Sequence, residues 1–254
     1  MKIVELNESL EERFWKYVFH DPLDHYFFIY DFKQNREKSR FYIAVNVREE
    51  ILGLGLNYDN HVVQLRGTEE AIRSMIKELN FQKTILQFPF EHEQAVQSSY
   101  PLFGSKLQVN LMSIAKGHEN IKLWTTPEKL KVEDSKEISN LLSQTELAGW
   151  NSSVEEIASR FEDSQWFGVK ENGKLVSIGA ARLNFYGSLI GPIATLAAYR
   201  NRGYATTVVS AFVAEAQKIP SIPIIFVRSD NEQAIRIYSS VGFEPYKSYI
   251  YLYV

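Results

Sequence analysis

Arg200-Asn201-Arg202-Gly203-Tyr204-Ala205-Thr206 follows an apolar run at 189–196 and precedes a segment whose apolar residues Val208, Val209, Phe212, Val213 and Ala216 recur with a helical period. A strand, a glycine turn and a helix in that order set the first helical N–H groups beside two arginines. Those groups lack intrahelical partners and carry partial positive charge, so the turn is an anion site suited to a phosphate. Gly203 and Ala205 are small enough for phosphate oxygens to reach the backbone, Arg200 and Arg202 add charge, and Thr206 adds a hydroxyl. Taken alone, the same residues also describe an ordinary helix start with solvated arginines.

Upstream of the turn, the spacing predicts an antiparallel meander of strands at 166–170, 175–183 and 189–196. Its first turn is Glu171-Asn172-Gly173-Lys174, a strong hairpin signal because both central residues accept positive φ. Before the meander lie a short strand at 121–125, a helix from Val132 to Leu142, and a helix ending near Phe161 that Ser152 or Ser153 caps with Glu155 or Glu156. After the turn helix come a buried strand at 222–227, a helix from Ala234 closed by Gly242, and an alternating terminal strand at 246–254.

The first half repeats this plan weakly, with a meander at 41–47, 51–56 and 61–65, a helix at 68–79, a strand at 84–88 and a last strand at 107–114. His92-Glu93-Gln94-Ala95-Val96 corresponds to Asn231-Glu232-Gln233-Ala234-Ile235 in letters and in element order. We therefore expect two domains of like fold, 1–118 and 119–254, in the α/β (α+β) class.

Composition narrows the chemistry. The 254 residues contain no cysteine, which excludes disulfides, thiolate metal ligands and thiol nucleophiles, and fits a cytoplasmic protein. A net charge of −3 with dispersed Lys and Arg gives no reason to expect a nucleic-acid partner. His20, His25, His61, His92 and His118 lack metal-binding spacing, so no metal is expected. No apolar run suits a membrane span or a signal peptide, and no membrane partner is expected.

The segment from Ile193 to Val208, followed by Asn231-x-x-Ala234-x-x-x-Tyr238-x-x-x-Gly242-Phe243, resembles the GNAT superfamily of N-acetyltransferases. That family carries [Arg/Gln]-x-x-Gly-x-[Gly/Ala] at its pyrophosphate turn. The resemblance covers roughly the last 130 residues and, with the weakened repeat of the plan in the first half, implies two tandem GNAT-like domains, the first degenerate, each a mixed, largely antiparallel sheet flanked by helices. It implies acetyl-CoA as cosubstrate, its pyrophosphate on Arg200 to Ala205 and its pantetheine arm on the backbone of Ile193 and Thr195. Asn231 would contact the cofactor, and Tyr238 would stand near the sulfur as general acid, with plain core packing as its other reading. Ala197 departs from the family's frequent proline at that place, a change that touches no reacting group.

The base is not legible. Residues 190–196 contain no Glu or Asp and no histidine follows His118, which leaves Glu146, Glu162, Asp163, Tyr186, a water chain or an already neutral amine. The expected function is acetyl transfer to an amine of a small molecule, peptide or protein, with a non-catalytic acyl-CoA sensor as the alternative. A nucleotide-binding α/β protein fits less well, because the turn follows an antiparallel meander rather than the first strand of a parallel sheet.

In the first half the corresponding stretch reads Gln64-Leu65-Arg66-Gly67-Thr68-Glu69-Glu70-Ala71. Glu69 and Glu70 would satisfy the helix dipole and repel a pyrophosphate, so no coenzyme A is expected there. Ile72, Met75, Ile76 and Leu79 read as core. Whether that half serves as a wall of the acceptor cleft, a homodimer surface or a stabilising duplicate stays open.

Overall fold

The computed structural model describes residues 1–100, 102–147 and 153–254. The chain forms two compact units: Met1–Leu111 with Arg228–Asp230 and Tyr246–Val254, and Met112–Val227 with Asn231–Pro245.

The first unit is built from β1 (Lys2–Glu5), α1 (Glu11–Val18), α2 (Tyr26–Gln34), β2 (Ser39–Val45), β3 (Ile51–Tyr58), β4 (Val62–Gly67), α3 (Glu69–Leu79), β5 (Ile85–Pro89), α4 (Glu93–Gln97) and β6 (Lys106–Ser113). The second contains β7 (Glu128–Lys129), α5 (Ser135–Leu142), α6 (Val154–Arg160), β8 (Gln165–Glu171), β9 (Lys174–Arg182), β10 (Ser188–Thr195), α7 (Tyr204–Ala216), β11 (Pro223–Arg228) and α8 (Glu232–Val241). The chain ends in β12 (Glu244–Tyr253).

In the first unit β1 to β4 form an antiparallel meander, β5 runs parallel to β4, and β12 pairs antiparallel with β5. The amphipathic α3 buries Ala71, Ile72, Met75 and Ile76 against Leu65, Leu86 and Phe88. Helices α1 and α2, which no sequence pattern announced, pack an aromatic cluster in which the rings of Phe14, Phe32 and Phe41 lie 5.5–5.7 Å apart. Helix α2 buries Phe28, Ile29, Tyr30 and Asp31 in succession, so it has no single apolar stripe to detect.

The second unit orders its strands β11-β10-β9-β8-β7, with only β10 and β11 parallel. Along β8, Trp166 joins the cluster of α5 and α6, whereas Phe167 and Val169 join that of α7, so helices cover both faces of the sheet. Ser153 caps α6 and Glu156 closes the capping box; Ser152, the other expected cap, lies outside the described residues.

Two expectations change. Residues 121–125 are not a strand: Lys122 and Trp124 donate their N–H groups to Ser210 Oγ and Thr207 Oγ1, buried hydroxyls one helical turn apart on α7. Backbone donors satisfied by helix hydroxyls need no ladder. The terminal strand, expected to close the second domain, instead pairs Tyr249 to Tyr253 with Pro89 to Ile85 and packs Ile250 and Leu252 into the first core. The terminal strand from Tyr246 thus belongs to the first compact unit. Alternation specifies a strand's faces and leaves its neighbour unspecified. No helix among the described residues is long and apolar enough to cross a membrane.

Candidate functional site

The site begins with a strand that loses a neighbour. Pairing of β10 with β11 covers Ser188↔Pro223 and Leu189↔Ile224, and the register of β10 on β9 shifts between Ile190 and Ile193. Beyond the shift β10 stays on β9, with Leu196 donating its N–H to Val176 O at 3.0 Å. Antiparallel alternation then turns the N–H and C=O of Ile193 and Thr195 toward the edge away from β9. The Thr195 side chain is held to Ser177 by a 2.8 Å hydroxyl contact.

The turn follows at once. Asn201 (φ 61°) and Gly203 (φ 80°) are left-handed, and Gly203 opens α7 with no side-chain cap and no acidic residue in the first turn. The N–H groups of Tyr204, Ala205 and Thr206 thus remain for a ligand. Glycine is required at 203 for a second reason, since a Cβ there would lie 2.7 Å from Trp124 Cδ1.

A cleft of about 900 Å³ brings together Ile193, Thr195, Arg200, Asn201, Gly203, Tyr204, Ala205, Thr206, Asn231 and Tyr238. Arg202, expected with them, does not line it. Its guanidinium pairs with Glu171 at 3.0 Å and lies over the Tyr199 ring, and the Tyr204 hydroxyl donates to the same carboxylate. Residues 200 and 202 point apart because the left-handed Asn201 stands between them.

Arg200 reaches the cleft and donates Nη2–H to both oxygens of Glu146, at 2.7 and 2.6 Å, and Nε–H to Thr195 O. Hydrogen bonds from Arg200 hold the Glu146 carboxyl below its ordinary range. Glu146 is the one carboxylate lining the cleft among the described residues. Of the other candidate bases, Glu162 is exposed, Asp163 pairs with Arg182 at 2.8 Å, and Tyr186 is buried; none lines the cleft. Asn231 has a structural task as well, capping α8 through a 3.1 Å bond from Ala234 N–H. Tyr238 is 8% exposed and edge-on to Phe243, and burial pushes its phenol up to about 12. Gln233, Arg236, Ile237 and Ser240 also line the cleft; their helical spacing on α8 was the signal available for them.

In the first unit Arg66 sits just past the end of β4–β5 pairing at Gln64↔Gln87 and is 1% exposed. Its Nε–H donates to Asp24 at 2.5 Å, and its guanidinium lies 4.3 Å from the Tyr249 ring centroid. Burial alone would raise the Asp24 carboxyl; Arg66, with His25 and Lys247, outweighs it and holds Asp24 well below the carboxylate range. Gly67 (φ 114°) lies so close to β3 that a Cβ would meet Leu52 O at 2.2 Å. A separate cavity of about 1000 Å³ within this unit is lined by α1, Asp21, Asp24, His25, Arg48 and Lys247. No group of three or more His, Cys, Asp or Glu among the described residues is arranged to hold a metal.

Residues 135–243 match the model of the acetyltransferase (GNAT) family. The fold of the whole chain is similar to an acetyltransferase from the GNAT family of Colwellia psychrerythraea (14% identity, 99% of each chain, TM-score 0.65). It is also similar to a Drosophila protein (13% identity, 98% of each chain, TM-score 0.70). A third is a tandem GNAT protein from the clavulanic acid biosynthesis pathway (12% identity, 99% of this chain and 97% of that one, TM-score 0.60). At such identities the likeness concerns the fold. No curated protein matches the chain. Residues 135–243, which contain the cleft residues from Glu146 to Ser240, match the acetyltransferase (GNAT) family, and the fold of the full chain is similar to that of a tandem GNAT protein.

Proposed function

We propose that the second unit binds acetyl-CoA in the 900 Å³ cleft and transfers the acetyl group directly to a primary amine of a small molecule, peptide or protein. One observation carries the reading: an uncapped helix N-terminus, an arginine, an unpaired strand edge and a buried phenol share one cleft. The N–H groups of Tyr204, Ala205 and Thr206, with Arg200, suit a pyrophosphate, and the backbone of Ile193 and Thr195 suits the amides of a pantetheine arm. Asn231, which also lines the cleft, would serve as a cofactor contact.

Bound acetyl-CoA would supply a thioester carbonyl as the electrophile. The amine lone pair would form the C–N bond as the C–S bond breaks; Tyr238, kept protonated by burial, would give its proton to the leaving thiolate, and the proton then lost by the new amide nitrogen would restore the phenol through cleft water. The proton that the ammonium sheds beforehand passes to water in the cleft, because Glu146 is engaged with Arg200. We further propose that the enzyme works in the cytoplasm and that the first unit binds no coenzyme A, a reading supported by the burial of Arg66.

A thermal-shift titration with acetyl-CoA, followed by thiol-release assays over a panel of amines, tests the reading. Stabilisation with thiol release on one amine class is expected. No shift with any acyl-CoA would overturn it, and a shift without release on any amine would make the unit a binding module.

A further inference from the structure

Trp124 is large, apolar and 69% exposed, yet it is held firmly. Asn120, Lys122 and Trp124 donate alternate backbone N–H groups to Val241 O, Ser210 Oγ and Thr207 Oγ1, at 2.9, 3.0 and 3.1 Å. These bonds tie the segment to the end of α8 and along α7, and bring Cβ, Cγ and Cδ1 of Trp124 against Gly203, the residue that opens the anion turn. Trp124 thus packs on that turn without itself lining the cleft. An aromatic fixed there, with most of its surface in solvent, offers a platform without closing the site.

We propose that Trp124 is the stacking surface for the adenine of the acyl donor and makes the cleft selective for coenzyme A thioesters over acyl groups carried on phosphopantetheine alone. The inference rests on the proposed placement of the pyrophosphate at Tyr204 to Thr206. Adenine is joined to that pyrophosphate through a single ribose, which puts the base within reach of a surface touching Gly203. A purine presents a flat π face, and its stacking on an indole is sequence-independent and strong for the area it covers. The missing side chain of Gly203 is what lets the Trp124 side chain approach the turn this closely.

The test compares coenzyme A with 4′-phosphopantetheine on the full chain, by calorimetric affinity and tryptophan emission, for the wild type, Trp124→Phe and Trp124→Ala. Coenzyme A should quench the wild-type emission, and the quench should vanish in both variants. Trp124→Ala should weaken coenzyme A about tenfold, Trp124→Phe less, and neither should alter 4′-phosphopantetheine binding. Equal loss for both ligands would reveal a purely structural role and overturn the proposal, as would wild-type coenzyme A affinity in Trp124→Ala. Absence of coenzyme A binding to the wild type would overturn the underlying cofactor assignment instead, and this proposal with it.

Discussion

Helices α3 and α7 begin at the same point of their units, each following the last strand of an antiparallel meander whose next neighbour is parallel. Their first turns are opposites. The start of α3 is closed by its own residues, with Thr68 Oγ1 accepting from Ala71 N–H and Glu69 and Glu70 supplying negative charge. The start of α7 has a glycine, no cap and no acid, and so keeps its donors for a ligand. The arginines differ likewise, since Arg66 is buried on Asp24 while Arg200 rests on an exposed glutamate at the cleft. A helix N-terminus becomes a binding site only where the chain declines to satisfy it.

The largest effect is expected where the first unit satisfies itself. Asp24→Asn leaves Arg66 buried without its counter-charge and should cost about 3–5 kcal/mol, read by chemical denaturation. A loss below about 1 kcal/mol would show that the pair does not support this unit. Because Asp24 titrates lower in the folded chain than in the unfolded one, its contribution is present above about pH 4 and is lost as the pH falls further. The wild type should therefore lose stability in acid more steeply than Asp24→Asn.

Next, Arg200→Glu reverses the charge at the open turn and should weaken acetyl-CoA by about a hundredfold, whereas Glu70→Gln at the closed turn should change nothing. Equal effects at both positions would break the contrast. Tyr238→Phe removes the phenolic proton and should slow thiol release by about thirtyfold at unchanged cofactor affinity. Unaltered turnover would return Tyr238 to a packing role. The smallest effect belongs to Glu146→Gln, which frees Arg200 from an exposed ion pair and should tighten acetyl-CoA about threefold. Weaker binding would place Glu146 on the side of the ligand.

The elements around the site were legible because their signals are local. Asn172-Gly173 makes the β8–β9 turn, Gly203 and Gly242 open α7 and close α8, and the apolar period of α7 is that of a buried helix. That Arg202 turns to Glu171 rather than to the cleft was not legible, because spacing along a turn does not say which way each side chain leaves it. The strap at 121–125 was misread because alternating apolar residues describe any extended segment, whatever satisfies its backbone. Helices α1 and α2 escaped notice since aromatic residues surround α2 on every side.

From sequence alone, this protein's turn, the paired element at Asn231 to Phe243, and the acidic counterpart at Glu69 and Glu70 were determined, because each depends on residues a few positions apart. Tertiary structure decided what depends on distant partners. It set the strand edge that β11 leaves uncovered, the occupation of Arg200 by Glu146, the burial of Arg66 on Asp24, and the terminal strand's place beside β5. Those choices are settled by packing and charge compensation between segments far apart in the chain, where no short-range pattern reaches.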